Sequence, residues 1–452
     1  MAVSKGFIEL DFIRMNAEEQ QKKIDSFLNL MENRRSVRSF SNETVPEKVL
    51  ENVIRSAGTS PSGANQQPWT FVLIKNQKIK KEIRIAAERE EKERLEQSSL
   101  EFKQENSVLG KKEYLEEAPY LIALFKINHG LETKEDGTTE KIKHYYVQES
   151  ISICSGFLLS ALENTGLNSL VHTPVEATQS ILNRPENESP FLLIAVGYGK
   201  EDYQPPKLRR KPLSEIILNQ PLQPARNTLA PPFQKTTFLR DNELIHRAEN
   251  YYKFIKKRRN VRDYSTEPVD EQLLYKALQA AAATPSGGNL QPYRLVVVSD
   301  QRTKELIRGF AETEERKLYE EKISKEWKDA LGPLGTGWKK PHLTDAPYLI
   351  VAFRKQVKLE EDSLIDGSVL IRKNSMALAS SAMAVGVLIC ALRHAGLCTL
   401  THTPSPMKFL GDLLDRPKDE VPFVVLPVGY PAKDCKVPDI TKKDLSEILV
   451  KI

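Results

Sequence analysis

Apolar residues in the first half of the chain are spaced in two ways, one typical of helices and one typical of buried strands. Residues 12–33 place apolar side chains on one helical face among glutamate, glutamine and lysine, which predicts an amphipathic helix. Residues 145–165 predict a longer apolar helix that ends at Gly166, and the highly charged residues 78–117 predict a solvated helix. Nearly continuous apolar runs predict central strands at residues 69–74, 120–125 and 191–196.

The second half of the chain repeats this order of elements. Residues 34–71 and 258–295 both contain an arginine cluster, a helical segment and a Pro-Ser-Gly loop that enters a strand. The matching landmarks Arg34 and Arg258, and Pro61 and Pro285, are 224 positions apart (258 − 34 and 285 − 61). That distance is far longer than a solenoid repeat, so the pattern indicates two duplicated domains.

A proline-rich segment separates the two copies. Residues 219–237 contain four prolines and no periodic pattern, which is typical of a linker. We therefore predict one domain at residues 1–218 and a second at residues 238–452. Each half mixes strands with long helices, which predicts an α+β chain made of two layered α/β sandwiches.

Composition narrows the class of protein. The 452 residues are 28% charged and 40% hydrophobic, a composition typical of globular domains. The net charge of +5 is spread over many residues of both signs, so it does not indicate nucleic-acid binding. The four cysteines, which form no C-x-x-C motif, predict neither disulfides nor zinc and favour a reducing compartment. The N-terminus has no signal-peptide pattern, and the most apolar window, residues 376–392, predicts a buried helix rather than a membrane span. We expect a cytoplasmic protein that binds no metal.

The repeated landmarks carry two chemical signals. Arg34, Arg35 and Arg38 lie beside Ser36, and guanidinium forks with a hydroxyl suit the oxygens of a phosphate, although surface charge is the plain alternative. The Pro-Ser-Gly loop allows backbone N–H groups to approach a flat ligand, although an ordinary turn would have the same sequence. The arginine cluster and the loop occur together in each half, and each lies 224 positions from its copy. This repetition favours a ligand site.

At this point the chain resembles a known family. The segments RRSVRSF, TSPSGANQQPWTF, KKEYLEEAPYL, HTP and RRKPLSEI are similar to the FMN-dependent nitroreductase superfamily and, within it, to the iodotyrosine deiodinases. Members of this superfamily are homodimers with two flavins at the subunit interface. The resemblance implies two tandem nitroreductase-like α/β sandwich domains that form this dimer internally, so that the chain is a monomer acting as a pseudo-dimer.

The resemblance also implies the composition of each flavin site. The arginine cluster, a threonine at flavin N5 and a C-terminal basic residue come from one half, and the loop and the substrate lid come from the other. Site one would contain Arg34, Arg35, Ser36, Arg38, Thr173, Arg210, Pro285, Ser286, Gly287 and Gly288. Site two would contain Arg258, Arg259, Asn260, Arg262, Thr403, Lys442, Pro61, Ser62, Gly63 and Ala64.

In deiodinases a lid of glutamate, tyrosine and lysine holds the amino-acid end of the substrate, and the glutamate and tyrosine share a helix face. We assign Glu315, Tyr319 and Lys340, together with Gly288, to site one. Site two receives Glu91 and Lys112 with Ala64, and has Leu95 where tyrosine is expected. Because site two also has Asn260 and Lys442 in place of serine and arginine, we predict that site one is intact and site two is degenerate. His172 and His402 precede Thr-Pro in the two halves, and we assign both to packing at a strand end rather than to proton transfer. The sequence places no second histidine or carboxylate at the spacing of metal ligands.

The resemblance implies reductive dehalogenation of a halotyrosine. Thr173 at flavin N5 would favour one-electron steps, and the Gly288 N–H would stabilise the substrate phenolate. Electrons would come ultimately from NADPH, with a separate flavin reductase as a possible partner. The alternatives are an NAD(P)H-dependent nitroreductase or quinone reductase, which usually lacks this lid, and a flavin-binding or ligand-binding protein without turnover.

Overall fold

The computed structural model describes residues 6–96, 111–134, 136–207, 209–218, 229–234, 237–361, 369–404 and 406–452. The first half contains, in order, β1 (Phe7–Glu9), α1 (Ala17–Asn33), α2 (Glu47–Gly58), β2 (Trp69–Ile74), α3 (Gln77–Glu96), α4 (Tyr114–Glu117), β3 (Tyr120–Ile127), β4 (His129–Thr133), β5 (Thr139–Lys143), α5 (Val147–Thr165), β6 (Asn168–His172), α6 (Thr178–Ile181), β7 (Glu188–Gly197), α7 (Leu213–Ile216) and β8 (Ile217–Leu218).

The second half follows the same plan. It contains α8 (Asp241–Ile255), α9 (Glu271–Ala282), β9 (Tyr293–Val298), α10 (Gln301–Lys317), α11 (Lys325–Leu331), α12 (His342–Asp345), β10 (Tyr348–Lys355), β11 (Val357–Glu361), β12 (Val369–Lys373), α13 (Ala377–His394), β13 (Cys398–Thr399), α14 (Phe409–Leu413), β14 (Glu420–Gly429), β15 (Lys436–Pro438), α15 (Leu445–Ile448) and β16 (Leu449–Lys451). Single helical turns at Gly63–Asn65 and Gly287–Asn289 shape the two Pro-Ser-Gly loops.

Each half builds a five-stranded sheet, in the orders β16-β2-β3-β7-β6 and β13-β14-β10-β9-β8. Three strands in the middle of each sheet are antiparallel neighbours. One edge strand in each sheet comes from the other half: β16 pairs parallel with β2, and β8 pairs parallel with β9. The two halves thus exchange their last strands, and each completes the backbone hydrogen bonding of the other.

Helices α5 and α13 pack against each other between the sheets. Their apolar residues belong to one hydrophobic core that contains side chains of both halves. The helices approach most closely at Gly156 and Gly386, where an added Cβ would lie 2.3 Å from the Met383 oxygen and 2.2 Å from the Ile153 oxygen, respectively. Because neither helix is covered by its own half alone, the fold requires both copies.

The pattern predicted most of these elements. The strand at 69–74 is confirmed, those at 120–125 and 191–196 extend by a few residues, and two tandem layered α/β domains are confirmed. The predicted helix at 78–117 is wrong as one element, since α3 ends at Glu96, α4 is separate, and residues 97–110 lie outside the described residues. Of the described helices, only Ala377–His394 is long and apolar enough to cross a membrane, and 83% of its apolar window is buried in the protein, as predicted for a core helix.

Candidate active site

Two clefts lie between the halves. The cleft that contains the Arg34 cluster, called the first cleft, has a volume of about 1470 Å³. Arg34, Ser36, Arg38 and Thr173 reach it from the first half, and the loop at residues 285–289 reaches it from the second. Arg34 is 4% exposed, and its Nε and Nη1 atoms have no hydrogen-bond partner among the described residues. A buried guanidinium with unpaired N–H groups suits an anionic or strongly polar ligand.

The second cleft lies beside the Arg258 cluster, of which Arg262 lines it, and has a volume of about 1100 Å³. Asn260, Arg262 and Thr403 line it together with the loop at residues 61–64 of the first half. An adjoining pocket of about 730 Å³ holds the basic side chains Arg258, Arg259, Lys256 and Lys442. The cross-half pairing of arginine cluster and loop that the resemblance implied is thus present in the geometry of both clefts.

Both loops adopt the same backbone, which presents their N–H groups. Ala64 and Gly288 have φ values of 46° and 56°, in the left-handed region. The preceding glycine in each loop donates its N–H to a serine hydroxyl on the adjacent core helix: Gly63 to Ser150 at 3.1 Å and Gly287 to Ser380 at 3.2 Å. Since α5 and α13 hold the loops, the packing of the two halves sets the shape of both clefts.

The lid assignment was wrong. Glu315, Tyr319 and Lys340 line the second cleft with Arg262 and the Ala64 loop, not the first cleft with Gly288. Helix α10 follows β9 directly and packs through Ile307 and Ala311 onto the sheet of its own half, so its end reaches only the cleft of its own arginine cluster.

The other lid residues lie in the first cleft for the same reason. Glu91 and Lys112 line it with Arg34, and Lys112 Nζ lies 2.5 Å from Glu91 Oε2. The side chain of Leu95 lies outside the described residues. The residues predicted for the intact site are therefore divided: the first cleft has Ser36 but the lid segment with Leu95, whereas the second has Asn260 and the complete lid, with Lys442 in the adjoining pocket. Arg210 donates to the Glu32 carbonyl of its own half at 2.8 Å.

The second lid is closed by a buried ion pair. Glu315 and Lys340 are 5% and 3% exposed, and their side chains form a direct salt bridge. Burial raises the pKa of Glu315 and lowers the pKa of Lys340, while each partner favours the charged form of the other. A zwitterionic ligand can replace this ion pair, because its ammonium can bind Glu315 and its carboxylate can bind Lys340.

Two histidines lie beneath this ion pair. His402 Nε2 is 3.7 Å from Glu315 Oε1, and the His342 and His402 rings are 5.1 Å apart. Burial lowers the pKa of His342 to about 3 and that of His402 well below its usual value, so both rings are neutral. The sequence interpretation of His402 missed this second histidine and nearby carboxylate; no cluster of three potential ligands that could hold a metal occurs among the described residues.

The C-terminal basic segment of each half contacts the loop of the other half. Lys442 Nζ donates to the Ser60 carbonyl at 2.8 Å and to Asn65 Oδ1 at 3.1 Å, and burial lowers its pKa to about 7. On the other side, Asn289 donates to the Arg209 carbonyl at 2.8 Å, next to Arg210. These contacts agree with the grouping implied for the two sites.

The sequence model of the nitroreductase family matches two segments of the chain, residues 31–198 and 255–430. The chain belongs to the nitroreductase family. The two matched segments contain the two arginine clusters, loops and lids described above, so both copies of this nitroreductase chain have the family pattern.

Several curated relatives are iodotyrosine deiodinases. The chain is 44% identical over 208 residues to the iodotyrosine deiodinase of Haliscomenobacter hydrossis, covering 46% of this chain and 91% of that protein. It is 45% identical over 221 residues to that of Hydra vulgaris, covering 47% and 80%. A solved structure of oxidized iodotyrosine deiodinase bound to FMN and 3-iodo-L-tyrosine is 30% identical, with a TM-score of 0.37 over 43% of this chain and 95% of that chain.

An aromatic contact at the second cleft was missed by the sequence analysis. Trp327 of α11 stacks on Tyr145 of the first half at 4.3 Å between ring centroids, with Tyr146 at 6.4 Å. Tyr145 is held in place because its N–H donates to Gln66 Oε1 at 2.8 Å. The lid of one half of this nitroreductase chain thus docks on the other half, and both rings line the cleft.

Proposed function

We propose that the chain is an FMN-dependent oxidoreductase that removes halide reductively from a halogenated tyrosine, and that this reaction takes place in the second cleft. The observation that carries the proposal is the buried Glu315–Lys340 ion pair beside Tyr319, over a cleft that also contains Arg262 and Thr403. The names of the relatives support the same activity.

The described residues fit FMN in both clefts. Arg34 is a buried guanidinium with unpaired Nε and Nη1 atoms, and Arg258 is a half-buried guanidinium with an unpaired Nε, as expected for groups that complete their hydrogen bonds with a ligand. In the second cleft, Arg258, Arg259 and Lys442 line the basic pocket that suits a phosphate. We therefore propose one FMN in each cleft, with the two halves acting as an internal dimer. When bound, the flavin supplies the electrons that reduce the carbon–halogen bond.

The lid would recognise the amino-acid end of the substrate. Glu315 accepts hydrogen bonds from the substrate ammonium, and Lys340 donates to the substrate carboxylate, so the salt bridge between them is replaced by two new ones. Tyr319 covers the ring. The Ala64 N–H lies on the loop facing this cleft and would stabilise the phenolate oxygen.

We still propose that the two sites differ in activity, but the active site is now the second cleft rather than the first. The complete lid lies in the second cleft, so halotyrosine turnover is assigned there although Asn260 and Lys442 replace the serine and arginine of the family pattern. The first cleft, with Leu95 in its lid segment, is proposed to bind halotyrosine weakly. Lys442, whose pKa burial lowers to about 7, is positively charged only when protonated beside a phosphate, and it lacks the planar fork of arginine.

The experiment compares Glu315→Gln with the equivalent change Glu91→Gln in the FMN-loaded full chain. Iodide release from 3-iodo-L-tyrosine is measured with dithionite as reductant. Loss of one charge-assisted contact of about 1.5–3 kcal/mol should raise KM about 10- to 100-fold for Glu315→Gln, and much less for Glu91→Gln. Equal effects of the two changes would contradict the assignment to the second cleft. Release of no iodide by the unchanged chain, with turnover of nitroaromatics, would favour a general nitroreductase instead.

A further inference from the structure

The two clefts differ along one wall, which is the first two turns of a core helix. The helix α5 forms this wall in the second cleft, and α13 forms it in the first. Ser150 and Ser380, which hold the two loop glycines, fix the correspondence between the helices. The matching wall residues are Tyr146, Glu149 and Ile153 in the second cleft and Met376, Ala379 and Met383 in the first.

The changes on this wall remove volume and polarity together. Methionine replaces the ring of Tyr146, and Ala379 replaces the carboxylate of Glu149. On the facing loop, Gly288 replaces Ala64, and an added Cβ there would lie 3.7 Å from Leu290, so packing does not require the glycine. The unbranched thioethers of methionine adapt to ligands of different shape. The helix wall of the first cleft is accordingly less bulky and less polar than the matching wall of the second.

The lid of the first cleft has changed in the same direction. Leu95 stands where the second lid has Tyr319, and Ser375 stands where Tyr145 accepts the stacked Trp327. In the sequence, Glu91 and Lys112 are 21 positions apart (112 − 91), whereas Glu315 and Lys340 are 25 apart (340 − 315). No tryptophan occurs in the sequence between Glu91 and Lys112. Both partners of the aromatic contact are therefore missing together.

The polar groups of the first cleft are retained. Glu91 and Lys112 form their ion pair at 2.5 Å, and Lys112 is buried. Arg34 keeps unpaired guanidinium nitrogens, and Ser36, Arg38 and Thr173 line the same cleft. A cleft that had only lost its function would have no reason to keep a buried pair of charges, since such a pair is costly to desolvate.

We propose that the first cleft binds a different substrate class, an α-amino acid whose side chain is apolar and longer than that of a halotyrosine. The Glu91–Lys112 pair receives its ammonium and carboxylate, and the wall of Met376, Ala379 and Met383 receives the distal part of its side chain. This inference rests on the proposed function in taking flavin as the floor of the cleft and a Glu–Lys pair as the receptor for the charged end of an amino acid. One chain then has two clefts with two specificities.

The test uses the FMN-loaded full chain and two probes, O-benzyl-L-tyrosine and 3-iodo-L-tyrosine, titrated by the change in flavin fluorescence. Glu91→Gln should weaken binding of O-benzyl-L-tyrosine at least fivefold more than binding of 3-iodo-L-tyrosine, and Glu315→Gln should do the reverse. N-acetyl-O-benzyl-L-tyrosine, which lacks the ammonium group, should bind at least tenfold more weakly than the free amino acid.

A second variant tests the wall itself. Met376→Tyr restores the ring of the other cleft at a partly exposed position, and it should weaken O-benzyl-L-tyrosine at least fivefold more than it weakens 3-iodo-L-tyrosine. The proposal is overturned if O-benzyl-L-tyrosine does not bind, or if one lid variant weakens both probes equally. Iodide release from 3-iodo-L-tyrosine separates the two hypotheses: if it persists while O-benzyl-L-tyrosine fails to bind, only this inference fails.

Discussion

The crossing of α5 and α13 allows a sharp test of how the halves are joined. An alanine at position 386 would place its Cβ 2.2 Å from the Ile153 carbonyl oxygen and 3.0 Å from the Gly156 Cα atom. Both contacts are backbone atoms of the facing helix, so no side chain can move aside. The helices must separate by about 1 Å to reach ordinary van der Waals contact.

The cost of this separation can be worked out from the packing. Opening a gap of about 1 Å over roughly 100 Å² of contact leaves about 100 Å³ unfilled, which costs about 2–2.5 kcal/mol at roughly 24 cal/mol per Å³. Alanine recovers up to about 1 kcal/mol through its helix propensity, but residual overpacking of about 1–3 kcal/mol opposes that gain. We therefore expect Gly386→Ala to lower the free energy of unfolding by about 2–4.5 kcal/mol, the sum of the cavity and overpacking costs less the gain in helix propensity.

The matched control is the same substitution in an exposed helix. Gly309 lies inside α10, and an added Cβ there meets nothing within 4 Å, so Gly309→Ala should raise stability by about 0.5–1 kcal/mol. Urea unfolding, followed by circular dichroism, measures both variants. If Gly386→Ala unfolds at the same urea concentration as the unchanged chain, or if both variants lose stability equally, the steric argument is refuted.

Two further changes test the second cleft and the interface between the halves. Trp327→Ala removes the stack on Tyr145, which is worth about 0.5–1.5 kcal/mol. The KM for 3-iodo-L-tyrosine in the iodide-release assay should therefore rise about 2- to 12-fold. An unchanged KM would exclude a role of this stack in lid closure. Burial raises the pKa of Glu163 to about 8 although Arg34 and Arg35 oppose the shift, so folding becomes less favourable as pH rises from about 4.5 to 8. Glu163→Gln should therefore leave the urea midpoint unchanged near pH 4 and raise it above pH 8, and an equal effect at both pH values would contradict this.

The sequence predicted those parts of the fold that have a local signal. Strand β2 and helices α5 and α13 are long apolar runs, so their burial could be predicted before their partners were known. The exchange of β8 and β16 could not, because two or three residues carry no measurable period. The stack of Trp327 on Tyr145 likewise joins distant positions without a local pattern, although comparing the two halves shows that both aromatic residues are absent from the other copy.

The lid error has a physical cause of the same kind. Helical spacing showed that Glu315 and Tyr319 share a face, but it cannot show on which side of a sheet that helix packs. The packing of Ile307 and Ala311 on the strands of their own half decides the question, and this contact depends on the assembled core. The resemblance implied that the loop and the lid of each site both come from the other half, and the clefts contain this pairing for the loops but not for the lids.

Joining two copies in one chain changes what a substitution can do. In a homodimer of identical chains, every change on α13 would appear in both clefts, whereas here Met376 and Ala379 alter the first cleft alone. Residues that serve both clefts at once have no such freedom: Gly156 and Gly386 must both stay small, because each is pressed against the other's helix backbone. We therefore expect lids and cleft walls to tolerate divergence between the halves, while the two glycines of the helix crossing stay small in both.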